Sequence, residues 1–175
     1  MRIISGKNRG RKLFSFDGEE IRPTSDKARE ALFAILGNVQ GLNFLDLCCG
    51  TGAIGLEAES RGANVVMVDC SKKSLELAKK NAELIKSEAK FVLSDAIAYL
   101  KNTDNKFDVI FIDPPYKISL CGQAVKIIEE RSLLLGAGTL IYERDVKEDF
   151  SGDKLKKYKE KKYGKAYFSF YGENL

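Results

Sequence analysis

The run Phe107-Asp108-Val109-Ile110-Phe111-Ile112, followed by Asp113-Pro114-Pro115-Tyr116, constrains the fold more than any other stretch. Its β-branched and aromatic residues read as a buried strand. Two successive prolines then lack N–H donors and hold φ fixed, so a sheet ladder cannot continue past them. The strand has to end in a rigid, extended turn. In open α/β sheets ligands bind at the carboxyl ends of the strands, and here that end carries the Asp113 carboxylate, the Pro114 carbonyl and the Tyr116 ring. Together these suit a flat substrate bearing an amino group. The ring stacks on its plane, while the carboxylate and carbonyl accept the two N–H bonds.

The chain on either side repeats the strand-then-helix pattern. Strands are expected at 44–47, 65–69, 91–93, 107–112 and 139–143, with helices at 53–61, from Ser71 through Ile85, from Asp95 to Leu100 and at 120–131. The lysine-rich segment after Lys154 and Ala166-Tyr167-Phe168-Ser169-Phe170-Tyr171 read as a closing antiparallel pair. Strands alternating with helices imply an α/β fold, a doubly wound and mostly parallel seven-stranded sheet. Before it, residues 1–16 form a small hairpin turning around Gly6 to Gly10. A helix then starts after Pro23, capped by Thr24 or Ser25, with Ala28, Ala31, Leu32, Ile35, Leu36 and Val39 on one apolar face. Arg22, Lys27 and Arg29 are left to face outward or into a cleft. Residues 1–40 are thus an extension, and residues 41–175 the main domain; 175 residues suit one well-buried core.

Gly50-Thr51-Gly52-Ala53-Ile54-Gly55 matches G-x-G-x-x-G between a strand and a helix, and Asp69 ends the next strand about 20 residues on. That motif alone fits dinucleotide enzymes and S-adenosylmethionine (SAM) enzymes equally. Three further acids favour SAM. Asp46 lies at the end of the first strand, where it can meet an ammonium group and would repel a pyrophosphate. Asp95 ends the third strand, placed for an adenine amino group, and Asp113 ends the fourth. A cationic sulfonium ligand suits such a row. Taken singly, each acid is equally a helix cap or a solvated loop residue.

The chain has no histidine, which excludes His triads and His general bases. Its four cysteines, Cys48, Cys49, Cys70 and Cys121, form no C-x-x-C pair, so no metal is expected, and Cys48 and Cys49 read as reduced thiols filling a small buried space. No apolar run reaches membrane-span length and the N-terminus is charged, which predicts a cytoplasmic protein. Net charge is only +4 but uneven. Arg2, Lys7, Arg9, Arg11 and Lys12 meet no acid before residue 13, and seven lysines face a single Glu160 between 154 and 165. Two basic ends suggest a polyanion partner, nucleic acid above all, and a solubilising surface is the plain alternative.

At this point the chain resembles a known family. Phe44-Leu45-Asp46-Leu47-Cys48-Cys49-Gly50-Thr51-Gly52-Ala53-Ile54-Gly55 resembles motif I of class I SAM-dependent methyltransferases. Asp113-Pro114-Pro115-Tyr116 resembles motif IV of those that methylate exocyclic amino nitrogens of nucleobases. Met1-Arg2-Ile3-Ile4-Ser5-Gly6-Lys7, Gly10-Arg11-Lys12-Leu13 and the stretch Arg22 to Phe33 are similar to the start of the RsmD family, bacterial 16S rRNA (guanine-N2)-methyltransferases. The chain departs from the family's habit at Ser5, Asn8, Cys48-Cys49 and Asp69, where Gly, an aromatic residue, Phe-Ala and Glu are common. The resemblance implies SAM as cofactor, bound by Asp46, Gly50, Gly52, Asp69 and Asp95. It implies Asp113 and Pro114 on a guanine amino group and Tyr116 stacked on the base. The substrate is then 16S rRNA in the small ribosomal subunit or a late precursor, gripped by Arg2, Lys7, Arg9, Arg11, Lys12 and Arg22, with the enzyme a monomer. The rival expectations are a DNA adenine-N6 methyltransferase, an NAD-dependent oxidoreductase and a non-catalytic RNA-binding assembly factor.

Overall fold

A computed structural model describes residues 1–17, 24–115, 119–144 and 150–173. Tyr116 and Arg22 lie outside the described residues. The element order is α1 (Asp26–Leu36), β1 (Asn43–Leu47), α2 (Ala53–Ser60), β2 (Asn64–Asp69), α3 (Lys72–Leu84), β3 (Lys90–Leu93), α4 (Ala96–Asn102), β4 (Phe107–Ile112), α5 (Cys121–Glu130), β5 (Leu134–Arg144), β6 (Lys156–Tyr163) and β7 (Ala166–Gly172).

One seven-stranded sheet runs in the order β3-β2-β1-β4-β5-β7-β6. β1 to β5 are parallel, and β7 is antiparallel to β5 and β6. The chain leaves β1 in one direction through β2 and β3, then returns to β4 on the other side of β1. The strand order therefore reverses between β1 and β4, and a crevice opens at their carboxyl ends. β5 begins earlier than its apolar run suggested, because Leu134 pairs with Phe107 across an irregularity between Phe107 and Val109.

Alternation along the strands divides the core into two layers. Phe44, Met67, Phe111, Ile141 and Phe170 pack with α1, α2, α3 and the N-terminal hairpin. Leu45, Val68, Ile112, Tyr142 and Tyr171 pack with α4 and α5. Asp46 follows Leu45 and Asp69 follows Val68, so both carboxylates belong to the first face. The same parity places Asp113 and Glu143 there.

The hairpin closes through an Arg2–Lys12 bridge and buries Ile3 and Leu13 in the first layer. It is bolted to α2. The Glu57 carboxylate accepts the Ile4 and Ser5 N–H groups at 2.7 and 3.0 Å, and the Ser60 carbonyl accepts the Lys7 N–H at 2.8 Å. Gly6 has φ +85°, and a Cβ there would lie 1.8 Å from the Ser60 carbonyl oxygen. Only glycine fits that approach.

Helix α1 is capped by Ser25, whose hydroxyl accepts the Ala28 N–H at 3.1 Å, and ends at Gly37 with φ 73°. Its buried side is Ala28, Arg29, Leu32 and Phe33. Arg29, left by its sequence position to face outward or into a cleft, is instead fully buried. The guanidinium donates to the Arg2 and Thr24 carbonyls and to Asp26, so its charge is spent tying the hairpin to α1. Arg29→Leu should cost roughly 2–3 kcal/mol, because it strands two backbone acceptors and one carboxylate. Urea unfolding monitored by circular dichroism reads this, and a loss under about 0.5 kcal/mol would show that water replaces the guanidinium.

Candidate active site

β1 delivers the chain to the crevice and turns it sharply. Cys48 has φ 60°, Gly50 φ 54° and Gly52 φ 77°. The Gly52 N–H closes the turn on the Cys49 carbonyl at 2.8 Å, and Gly52 then starts α2 with no side-chain cap. The positive end of α2 therefore faces the crevice, and among the described residues the Ala53 and Ile54 N–H groups have no side-chain partner, leaving them for an anionic group. Nothing would contact a Cβ at Gly50, so space lies open above it, whereas a Cβ at Gly52 would lie 3.1 Å from that of Ala78. The third glycine has a different task. Gly55 donates its N–H to Asp46 Oδ2 at 2.9 Å, and a Cβ on it would come within 2.8 Å of Met67 and 3.1 Å of that oxygen.

The acids converge at this end of the sheet. Asp46 is 1% exposed, beneath the loop. Asp69 is nearly as buried; its Oδ2 accepts the Gly50 N–H at 2.9 Å and its Oδ1 the Ser71 N–H at 2.8 Å. Each oxygen keeps a lone pair for a further donor. Asp95 is exposed and caps α4, accepting the Ala98 N–H at 2.9 Å. The Asp113 N–H donates to the Leu47 carbonyl at 3.3 Å, which fixes the Pro-Pro turn to the strand that feeds the glycine loop. Asp113 is half-buried, Pro114 buried and Pro115 exposed.

Sequence reasoning missed Glu143. It lies near the end of β5, one position past the Ile112–Tyr142 pair and level with Asp113, and accepts the Thr24 hydroxyl at 2.7 Å. The only signal was an acid terminating the apolar run Thr139 to Tyr142. Among the described residues no cation pairs with Asp46, Asp69, Asp113 or Glu143. Burial raises Asp46 from 3.8 to about 8, with Asp69 and Glu143 adding to the rise and the Gly55 N–H opposing it. Burial raises Glu143 from 4.5 to about 7 against the Thr24 bond. Asp113 is held well above the usual carboxylate range, by burial first and then by Glu143, Asp46 and Asp69. Burial also pushes the Cys48 and Cys49 thiols up, so neither is a ready nucleophile. All four cysteines are free.

Asn81, a fully buried residue of α3, joins this loop to the N-terminal extension. Its amide donates to the Thr51 carbonyl at 2.9 Å and to the Phe14 carbonyl at 3.0 Å, and accepts the Phe14 N–H at 2.7 Å. The cationic tip of the hairpin lies elsewhere. Lys7 lines a cavity of about 780 Å³ with Asn43, Asn64, Lys90 and Lys106, at the amino ends of the strands. Arg2, Lys7, Arg9, Arg11 and Lys12 are all exposed.

Comparison with known proteins decides the family. The model of the family described as conserved hypothetical protein 95 matches residues 1–172. Ribosomal RNA small subunit methyltransferase D of Escherichia coli K12 is 32% identical over 150 residues, covering 83% of this chain and 75% of its own. The chain belongs to this family. The protein of the same name from Buchnera aphidicola of Acyrthosiphon pisum is 33% identical over 150 residues, covering 83% of this chain and 78% of its own. A solved Escherichia coli structure described as a candidate methyltransferase, yhhF, superposes with a TM-score of 0.86 at 30% identity, over 98% of this chain and 96% of that one. The RsmD resemblance and the class I methyltransferase fold are thereby established.

In this family member the residues expected at the cofactor loop do meet at one crevice: Asp46, Gly50, Gly52 and Asp69 around the loop, with Asp113 and Pro114 across the strand reversal. Asp95 stands at the same end, two strands out from β1. The donor set fits SAM. Carboxylates with no cation paired to them among the described residues suit its sulfonium and ammonium charges, and the first N–H groups of α2 suit its carboxylate.

The raised acids carry a pH signature. Each holds its proton to higher pH in the folded protein than in the unfolded chain, so between about pH 4 and 8 the folded state binds more protons and stability falls as pH rises. The melting temperature of the cofactor-free protein should decline from pH 5 to pH 8, and Glu143→Gln should flatten that decline; a flat wild-type profile would refute the raised acids. Asn81→Ala strands the buried Thr51 carbonyl and the part-buried Phe14 N–H and carbonyl, and should cost about 1–3 kcal/mol while weakening S-adenosylhomocysteine binding. Calorimetric titration checks the second part, and unchanged affinity would mean that the Thr51 loop holds its shape unaided.

Proposed function

We propose that this protein methylates the exocyclic N2 of a guanine in small-subunit 16S rRNA, using SAM, on the small ribosomal subunit or its late precursor. It acts in the cytoplasm as a monomer, with residues 1–40 as an RNA-contacting extension of the methyltransferase domain. The observation that carries the reading is the tie between the Asp113 N–H and the Leu47 carbonyl, which sets the amino-recognition turn against the glycine loop. The relatives named ribosomal RNA small subunit methyltransferase D supply the substrate class. Guanine over adenine rests on the family resemblance.

SAM supplies an electrophilic methyl group when bound, held by the Gly50 and Gly52 backbone, Asp69 and Asp95, with Asp46 setting the loop from beneath. The chain's own groups do the rest. An exocyclic amino nitrogen is a weak nucleophile because its lone pair is delocalised into the ring. The Asp113 carboxylate and Pro114 carbonyl accept its two N–H bonds, favour a pyramidal nitrogen and stabilise the positive charge that develops on it. The proton then leaves to Asp113 or to water; burial and the neighbouring acids hold the Asp113 carboxyl well above the usual carboxylate range, which favours proton uptake there. The target base must leave its stack to enter, and Tyr116 replaces the lost stacking. Arg2, Lys7, Arg9, Arg11, Lys12 and Arg22 grip phosphates of the RNA beyond the target base.

The test is methyl transfer from labelled SAM to small subunits from a strain lacking the enzyme, to naked rRNA and to duplex DNA, followed by nucleoside analysis. N2-methylguanine in the subunits is the expected product. N6-methyladenine in DNA would overturn the substrate, and no transfer to any of the three would overturn the reading as a whole. Asp113→Ala should lower turnover at least ~10²-fold with SAM binding retained. Lost SAM binding with normal turnover per bound cofactor would reverse that role.

A further inference from the structure

β6 is the outermost strand of the sheet and the most basic part of the chain. Its single acid, Glu160, is turned inward. The Glu160 carboxylate accepts the Ser169 hydroxyl at 3.1 Å and pairs with Arg144 at 3.2 Å and Lys157 at 3.3 Å. Lys154, Lys156, Lys159, Lys161, Lys162 and Lys165 are exposed, and among the described residues none of them pairs with a carboxylate. The outward charge of the strand is therefore wholly positive. Edge strands use a lysine or two, or a bulge, to discourage pairing with other chains. Here the register shift between Lys157 and Lys159 already bulges the strand at Tyr158, which is 43% exposed. Four exposed lysines on the strand itself, Lys156, Lys159, Lys161 and Lys162, exceed what edge protection requires.

Their position relative to the crevice gives them a use. Lys161 pairs with Phe168 and Phe168 with Glu143, and Glu143 is level with Asp113. Directly paired residues project to the same face. Asp113, Glu143, Phe168 and Lys161 thus share one rung and one face, with Lys161 three strand spacings, about 14 Å, from Asp113. Lys159 lies opposite Phe170, and Lys156 opposite Gly172, on that same face. The cofactor loop and β2 and β3 occupy the other half of the sheet. β6 therefore flanks the substrate side of the site.

Resting on the reading of this protein as an rRNA methyltransferase, we propose that the β6 face carrying Lys156, Lys159 and Lys161 binds the phosphate backbone of the RNA substrate beside the target nucleotide. This is a second contact, on the side of the crevice away from the hairpin. It positions the RNA and reads no base.

The test uses the full chain, small ribosomal subunits lacking the modification, and a triple variant Lys156→Gln, Lys159→Gln and Lys161→Gln. Each phosphate contact contributes about 0.7–0.9 to the slope of log affinity against log salt. The triple variant should lower that slope by about 2 and raise KM for subunits, with kcat at saturation and S-adenosylhomocysteine affinity unchanged. A control losing the same charge elsewhere, Lys79→Gln, Lys80→Gln and Lys101→Gln on α3 and α4, should keep the wild-type slope. Lys161→Gln alone should give about a third of the effect, which guards against misfolding of the triple variant. An unchanged slope with normal wild-type transfer would reject this surface and leave the enzymatic reading standing. An equal fall in the control would reject it as well, since charge and not place would then matter. Wild-type protein that neither methylates nor binds rRNA in a salt-dependent way would bring down both.

Discussion

Four carboxylates gathered at the carboxyl ends of β1, β2, β4 and β5, with no cation paired to them among the described residues, set the terms for the rest of the molecule. Burying like charges together is unfavourable, and the folded chain meets that cost partly by protonation and partly by hydrogen bonding. Asp46 has the Gly55 N–H, Asp69 the N–H groups of Gly50 and Ser71, and Glu143 the Thr24 hydroxyl. Among the described residues Asp113 has none of these supports, and it is the most open to solvent of the four. The group left least satisfied is the one placed to meet an incoming ligand. Charge on that ligand completes the site, so a cationic cofactor is matched to the fold by the same arrangement that makes the cofactor-free state sensitive to pH.

The N-terminal extension is part of this construction. Its apolar residues share the core layer of α1 to α3, and its polar contacts run to residues far along the chain. Glu57 and Ser60 hold the hairpin, Asn81 holds Phe14 and Thr51 together, and Glu143 holds Thr24. A displacement of the extension therefore strains the glycine loop at one end and the carboxylate cluster at the other. The proposed RNA-contacting segment and the cofactor loop are linked through one buried amide, a short physical route by which binding at one place can alter the other.

Much of this was legible before any coordinates. The parallel sheet followed from apolar strands alternating with helices. The crevice followed from Gly50 and Gly52, whose positive φ values few other residues adopt, and from two prolines that end β4. Local chemistry of this kind is written in adjacent residues. Ser25, Ser71 and Asp95 were likewise readable as helix caps, and all three cap helices. Arg29, Asn81 and Glu143 were opaque for the opposite reason. Arg29 looked like a surface cation because nothing nearby in sequence announces the Arg2 carbonyl that it binds. Asn81 reads as one polar residue of an amphipathic helix, and its partners lie 30 and 67 positions away. Glu143 acquires its meaning only when β5 is paired beside β4. The sequence placed the cations at the two ends of the chain. Their distribution over the surface depends on where α2 carries the hairpin and where β6 pairs.

That distribution leads to the last step. α2 is eight residues long, so its ends lie about 12 Å apart. The glycine loop occupies one end and the hairpin tip, through Ser60, the other. The hairpin cations therefore sit below the crevice on the cofactor half of the sheet, while on the other half Lys161 of β6 sits level with Asp113, with Lys159 and Lys156 further along the strand. A small target confined to the crevice would touch neither group. A structured polyanion wider than the sheet can touch both, and it would be held on two sides while a single base enters between them. Placement of charge on this chain thus argues for a broad, structured polyanion over a short single strand. It does so from sheet order and helix length, independently of the residues that perform the chemistry.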